Sequence, residues 1–215
     1  MNTPSRPRAT KIICTIGPAT DTSDMLGQLI EAGANVFRLN MSHSKHDWVR
    51  EVVFRIRRKA AELEANVAIL FDLQGPSIRT GDLAEPYHLK KGDTVEIRLG
   101  TAKPELPFST TVNYDGLLQD VQAGHTMVVD NGGILMRIAE VRPDRLICDV
   151  LTEGVFGSRR HINLPGVALR LPALTEKDLA DLAVAVECET DYVAMSFVRD
   201  AAHIAQLREH IDNCL

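Results

Sequence analysis

No run of apolar residues in this chain approaches the roughly 20 that a membrane-spanning helix needs, so no membrane segment is expected. Basic residues are not in excess either. Lys and Arg number 24 against 29 Asp and Glu, a net charge of −5, which argues against a general nucleic-acid binder. The four cysteines, Cys14, Cys148, Cys188 and Cys214, are scattered without a CxxC spacing. A zinc or disulfide framework is therefore not expected, and reduced thiols in the cytoplasm are the simplest account. The opening eight residues are polar with two prolines and lack the apolar core of a secretion signal. Low-complexity segments are absent, as are internal repeats beyond an alternation of strand and helix patterns. What remains is a chain of 215 residues, 45% hydrophobic, long enough to bury one or two domain cores.

The chain opens with that alternation. Lys11 to Ile16 reads as a short buried strand stopped by Gly17-Pro18. Thr22 or Ser23 can cap a helix whose Met25, Leu26, Leu29 and Ile30 recur at helical spacing, with Gly33 as its stop. A strand at Val36 to Leu39 follows. The next helix, near Lys45 to Ala65, presents Trp48, Val52, Ile56, Ala60 and Leu63 inward, and its Arg55, Arg57, Arg58 and Lys59 read as a solvated outer face. A third strand covers Val67 to Asp72. This order predicts right-handed βαβ units around a parallel sheet, an α/β fold.

The pattern changes after Gly81. To about Leu171 no helical period persists. Thr94 to Leu99 alternates, as do parts of Thr126 to Val129, Ile134 to Val141 and Arg145 to Leu151, with glycines between them. Short strands at turn-to-turn spacing predict a small antiparallel β-barrel or sandwich, inserted after the third parallel strand. The expected domains are residues 1–80, the insert 81–171, and 172–215 as a return to the first domain. In the last, Thr175 can cap a helix in a box with Asp178. Tyr192 to Val198 reads as a fourth buried strand, and Asp200 can cap a helix carrying Ile204, Leu207 and Ile211.

Two strands end in chemistry. Val67 to Phe71 passes directly into Asp72, Gln74, Gly75-Pro76, Ser77 and Arg79. Asn35 to His43 has the same design, with Arg38 and Asn40 alternating against Phe37, Leu39 and Met41. The carboxyl ends of parallel strands are where open α/β sheets and β/α barrels place their sites. Taken in order, Lys11-Ile-Ile-Cys-Thr-Ile-Gly-Pro18, Arg38-Leu-Asn-Met-Ser-His43, Asp72-Leu-Gln-Gly-Pro-Ser-Ile-Arg79 and Asn163-Leu-Pro-Gly166 resemble the ordered motifs of the pyruvate kinase family. The resemblance runs from about Thr10 to the last residue. It implies a TIM-type β/α barrel, of which the first four βα units are present, and makes the insert the family's lid domain.

The resemblance also assigns roles. Arg38, a planar and always-charged fork, would bind the phosphate of phosphoenolpyruvate. Asn40, Ser42 and Asp72, with the Leu73 carbonyl, would hold a potassium ion, as hard oxygens suit hard cations. Asn40, His43, Arg79 and Arg160 match positions near the nucleotide, ADP or ATP. Local capping is an alternative role for Asn40 and Ser42, and plain solvation one for His43. Asp130 lies in a turn resembling the family's Asp-Asp-Gly, its second acid replaced by Asn131. Many relatives read Asp-Thr-Lys-Gly-Pro-Glu where this chain has Asp72-Leu-Gln-Gly-Pro-Ser77. Gln74 removes a charge and Ser77 replaces a glutamate associated with potassium dependence, which leaves the potassium requirement open.

A full eight-unit barrel takes about 250 residues. The family's catalytic lysine and the carboxylates that hold Mg2+ belong to strands expected beyond Leu215. The expectation is therefore the amino-terminal portion of a phosphotransferase of glycolysis, converting phosphoenolpyruvate and ADP to pyruvate and ATP, whose full-length relatives are homo-oligomers. On its own the chain should be inactive. The alternatives are a non-catalytic half-barrel with a binding or regulatory role, the product of a disrupted gene, or another α/β enzyme of phosphorylated acids, against which the insert argues.

Overall fold

The computed structural model describes residues 9–214. The polar start, 1–8, lies outside the described residues, so the absence of a secretion signal stays a reading of sequence. In chain order the elements are β1 (Ile13–Ile16), α1 (Ser23–Glu31), β2 (Val36–Asn40), α2 (His46–Glu62) and β3 (Ala68–Asp72). The insert holds β4 (Tyr87–Leu89), β5 (Thr94–Arg98), β6 (Ser109–Thr111), a single turn α3 (Leu117–Asp120), β7 (Thr126–Val129), β8 (Ile134–Val141), β9 (Arg145–Val150), β10 (Gly154–Phe156) and β11 (Ile162–Asn163). Then come α4 (Glu176–Glu187), β12 (Tyr192–Ala194) and α5 (Ala201–Cys214). No helix among the described residues is long and apolar enough to cross a membrane.

The chain divides into two units: 9–76 with 172–214, and Ser77–Leu171. The first division falls four residues before the Gly81 read from sequence. Ile78 is buried in the insert's core, and Arg79 and Thr80 bridge to His161 and Val112, so these residues belong with the insert.

The first unit is a four-stranded parallel sheet in the order β1-β2-β3-β12, each crossover made by helix. Phe37, Leu39, Ile69 and Phe71 are fully buried and pack with Leu26, Val49, Val52 and Ile56 of the helices. The Thr22 side chain caps α1, and Thr175 with Asp178 forms the expected box at α4. All three of α1, α2 and α4 close on a left-handed residue with paired backbone bonds to the last turn. At α1 that residue is Gly33, but at α2 and α4 it is Glu64 and Glu189.

Three expectations need correction. The first strand spans Ile13–Ile16 rather than Lys11 to Ile16 and is not a buried strand, since Ile13 is exposed and only Ile16 is buried. The fourth strand is three residues long rather than seven, because Phe197 is left-handed (φ 59°) and Ser196 turns its hydroxyl to the Leu73 carbonyl. Nor is it fully buried, since Tyr192 is exposed. The basic face of α2 is only partly solvated. Arg57 reaches the carbonyls of Val67 and Glu189 and the Asp191 carboxylate, while the Lys59 stem lies over Gly27.

The insert is built from a six-stranded sheet, β11-β7-β8-β9-β5-β6, and a two-stranded one, β10-β4. Its pairs are antiparallel, as the alternation predicted, except β5 with β6, which run parallel. Val95, Ile97, Met127, Val129, Met136, Ile138, Leu146 and Phe156 fill its core. Between them sits a charged pair that alternation did not reveal. Glu96 is fully buried and its Oε2 accepts Arg145 Nη1 at 2.8 Å, while its Oε1 accepts the Glu105 amide at 2.7 Å.

Candidate functional site

The carboxyl ends of β2 and β3 carry the first group of candidates. The two strands pair in register, Arg38 opposite Leu70 and Asn40 opposite Asp72, so the polar ends of both motifs lie side by side. Apolar residues of the strands face the helices, and the intervening positions turn the other way. Arg38, about a third exposed, points along the sheet. Its Nε donates to Asp72 Oδ2 at 2.8 Å, its Nη2 donates to the same oxygen, and its Nη1 donates to Thr15 Oγ1 at 2.8 Å. Three strands thus hold one guanidinium, Thr15 being its register partner on β1. A fork held by a carboxylate and a hydroxyl is already oriented, which reduces the ordering cost when an anion joins it.

The oxygens around it are the candidate cation donors. Asn40 Oδ1 accepts the Ser42 amide at 3.1 Å, an Asx-type turn. Asp72 Oδ2 is engaged by Arg38, and the Asp72 carbonyl takes the Met41 amide at 3.0 Å. The Leu73 carbonyl accepts Ser196 Oγ at 2.8 Å. An amide, a hydroxyl, a carboxylate and a carbonyl, on consecutive turns of neighbouring strands, make an all-oxygen set of the kind an alkali cation takes. The residues fit that ion by donor chemistry. A divalent-metal centre is another matter: among the described residues no three His, Cys, Asp or Glu side chains converge. His43 is exposed at the end of the same turn, its amide on the Asn40 carbonyl at 3.3 Å.

Behind these turns lies a group that sequence reading missed. Asp181 is fully buried on the inner face of α4. Its Oδ1 meets His46 Nε2 at 2.7 Å and its Oδ2 accepts Lys177 Nζ at 2.6 Å. Lys177 also donates to the Met41 carbonyl at 2.7 Å. Asp178, equally buried, accepts the Gly75 amide at 3.0 Å and the Thr175 amide and hydroxyl. The signal available in sequence was a carboxylate at position 181 within the apolar stripe of α4, beside Leu182 and Ala185.

The remaining candidates belong to the insert. Arg79 is bonded through its amide to Asn113 Oδ1 at 2.7 Å, and its Nη1 donates to the Arg159 carbonyl at 3.1 Å. Arg160 pairs with Asp130 at 3.2 Å, and its buried Nε has no partner. The isolated bridge of Arg79 with His161 brings this segment beside Arg160. Burial and the Arg79 charge hold the His161 imidazole below its ordinary pKa. Asp130, Asn131 and Gly132 all have positive φ, a turn that aims the Asp130 side chain at Arg160. Arg79, Arg160 and Asp130 are therefore gathered within one unit, and Arg38, Asn40, Ser42, His43, Asp72 and Leu73 within the other.

Residues 7–214 match the family model described as pyruvate kinase, barrel domain. The chain is 38% identical over 213 residues to plastidial pyruvate kinase 2 of Arabidopsis thaliana, covering 98% of this chain and 36% of the plant protein. It is 37% identical to the chloroplastic pyruvate kinase isozyme G of Nicotiana tabacum, over 97% of this chain and 37% of that protein. Against the pyruvate kinase of Staphylococcus aureus strain USA300 the identity is 36%, over 95% of this chain and 35% of the relative. The chain spans about a third of the length of the curated relatives it matches.

Proposed function

This chain belongs to the pyruvate kinase family, and we propose that it carries the phosphate- and cation-binding part of a phosphoryl-transfer site acting on phosphoenolpyruvate and ADP. The observation that carries the reading is the register of β2 on β3. It sets Arg38, Asn40 and Asp72 together at the carboxyl end of a parallel sheet, with Arg38 oriented by Asp72 and Thr15.

Phosphoryl transfer through a loose transition state asks the protein chiefly for position and positive charge. In this reading Arg38 takes the phosphate of phosphoenolpyruvate through its fork, giving up part of its hold on Asp72. The freed carboxylate oxygen joins Asn40, Ser42 and the Leu73 carbonyl around a monovalent cation. Bound there, potassium would supply fixed positive charge beside the phosphate. Arg79, Arg160, His43 and Asn40 serve the nucleotide, and the insert acts as a lid. Mg2+ belongs to the reaction as a property of the family, but among the described residues no three His, Cys, Asp or Glu side chains converge to hold it.

By this proposal the 215 residues do not turn over alone. In this reading Arg38 and Arg79 hold phosphates, while the family's lysine and acidic pair, which would answer developing charge, are expected outside the stretch that this chain resembles. Full-length enzyme would be a homo-oligomer. A reducing, cytoplasmic setting suits the four cysteines, all free.

The test is calorimetric titration of the chain with phosphoenolpyruvate in potassium chloride, alongside a coupled lactate assay with Mg2+ and ADP. Binding that Arg38→Ala abolishes, without turnover, is the expected result. Turnover at ordinary enzyme rates would overturn the assignment of catalytic groups, and binding indifferent to Arg38→Ala would overturn the site. A second reading, a half-barrel that binds without catalysis, is favoured by the exposed Ile12, Ile13 and Tyr192 at the sheet edges. It predicts association with a separately made partner and no loss on Arg38→Ala.

A further inference from the structure

The turns leaving β2 and β3, which carry the candidate cation oxygens, are both fastened to the first two turns of α4. Asp178 holds the β3 turn through the Gly75 amide. Lys177 holds the β2 turn through the Met41 carbonyl, the residue between Asn40 and Ser42. These contacts join residues 103 and 136 positions apart. Capping of α4 does not call for them, since the box is completed by Asp178 Oδ2 and Thr175 alone.

Asp181 is the unexpected member. It occupies a core-facing position of α4, where an apolar side chain would pack without electrostatic cost. A buried carboxylate is tolerated when its oxygens are met by charge-assisted bonds, and here one oxygen meets Lys177 and the other His46. His46 is the first residue of α2 and follows the β2 turn directly. Asp181 thereby ties both ends of the turn 41–45: Lys177 on its entry through Met41, and His46 on its exit.

We propose that Lys177 is a positioning residue, oriented by Asp181 and His46, that sets the turn after β2 so that the Asn40 and Ser42 oxygens face a monovalent cation. The inference rests on the cation reading given above. Lys177 reaches no candidate ligand side chain itself; it acts through the Met41 carbonyl.

Three amides report the turn: Met41 on the Asp72 carbonyl, Ser42 on Asn40 Oδ1 and His43 on the Asn40 carbonyl. Hydrogen exchange of the peptide spanning 39–45, read by mass spectrometry on the full 215-residue chain, follows them whether or not the chain self-associates. Lys177→Met keeps the aliphatic stem and removes the ammonium. Because Lys177 is 41% exposed, the change opens no core cavity. The expected result is exchange roughly tenfold faster or more in that peptide, the scale of one lost charge-assisted bond, with peptides from β3 and α5 at parental rates. Lys177→Arg should restore most of the protection. Asp181→Asn, which keeps the shape and removes the charge, should move exchange in the same direction as Lys177→Met. Unchanged exchange at 39–45, a uniform rise across all peptides, or no rescue by Lys177→Arg would overturn the positioning role. The same experiment in potassium chloride against tetramethylammonium chloride separates the two readings. Potassium should slow exchange at 39–45 in the parent and do so less in Lys177→Met. Absence of a potassium effect in the parent, with the Lys177→Met effect intact, would overturn the cation reading and leave the hold of Lys177 on the turn.

Discussion

The two units treat their apolar residues differently. In the insert, core side chains from both sheets close over one another, and Val155 is its one large hydrophobic side chain left exposed among the described residues. The parallel unit leaves Ile12, Ile13, Phe54, Leu179, Tyr192, Phe197, Val198 and Ile204 exposed. Ile12, Ile13 and Tyr192 lie at the outer edges of β1 and β12, where among the described residues no further strand pairs. Beside β12, Val193, Met195, Ile204, Leu207 and Ile211 line a cavity of about 610 Å³ that reaches α5. A mostly antiparallel sheet can satisfy itself through short hairpins. A parallel sheet needs both faces and both edges covered, and four strands do not provide that. The insert therefore covers its own core, whereas the parallel unit, which carries Arg38 and Asp72, leaves apolar side chains at its sheet edges exposed among the described residues.

The sharpest way to break this comparison is to separate the units. Residues 77–171 expressed alone should fold, giving well-dispersed amide NMR spectra, since roughly 90 residues with their own core lie within the range of small domains. Residues 9–76 joined to 172–214 by a flexible linker should associate in light scattering. Collapsed spectra for the first, or a stable monomer for the second, would reverse the comparison.

The insert should also show where its stability is concentrated. Arg145→Met removes the closer of two cations from the buried Glu96, leaving Arg98 Nε at 3.9 Å, and the expected loss is about 3 kcal/mol, measured as a denaturation midpoint of residues 77–171. Burial pushes the Glu96 carboxyl up, but the Ser109 hydroxyl, the Glu105 amide and Arg145 outweigh it and hold it below the ordinary value of 4.5. The unfolded state binds this proton more readily, so the contribution is full above about pH 4.5 and is lost as pH falls through the lower folded value. In Glu96→Gln that part of the acid sensitivity should vanish.

Arg38→Ala probes the other unit. In an enzyme completed with the remaining strands of a relative, kcat/KM for phosphoenolpyruvate should fall about 10²–10³-fold, which corresponds to roughly 2.7–4 kcal/mol. The insert's denaturation midpoint should not move, because Arg38 belongs to the other unit. The smallest effect lies at the helix ends. Glu64→Gly and Glu189→Gly place glycine at left-handed positions (φ 50° at each) and should each stabilise the parallel unit by about 1 kcal/mol. Thermal melts of the full chain would show it.

Much of the parallel unit was legible in sequence, because a strand buried on both faces and a helix with one apolar stripe leave strong local patterns. The caps at Thr22 and Thr175 and the strand end at Asp72 were readable for the same reason, and β2 was read one residue short of its end at Asn40. The Glu96–Arg145 pair was not. Alternation along β5 assigns Glu96 to an outward face, and only the segment leading through Glu105 to β6 covers it. The extent of β12 was also illegible, since Tyr192 to Val198 is apolar throughout and nothing local marks the left-handed turn at Phe197.

By itself, then, the sequence determined the kind of elements, their order, the motifs at two strand ends and the family they resemble, all carried by neighbours within a few positions. The tertiary structure alone decided which charges meet. Arg38 finds Asp72 across 34 positions, Arg145 finds Glu96 across 49, and His46 finds Asp181 across 135. The reason is physical. Apolar burial is non-directional and follows from composition and period, whereas an ion pair or a charge-assisted hydrogen bond needs two particular atoms within about 3 Å, and only the folded chain brings them there.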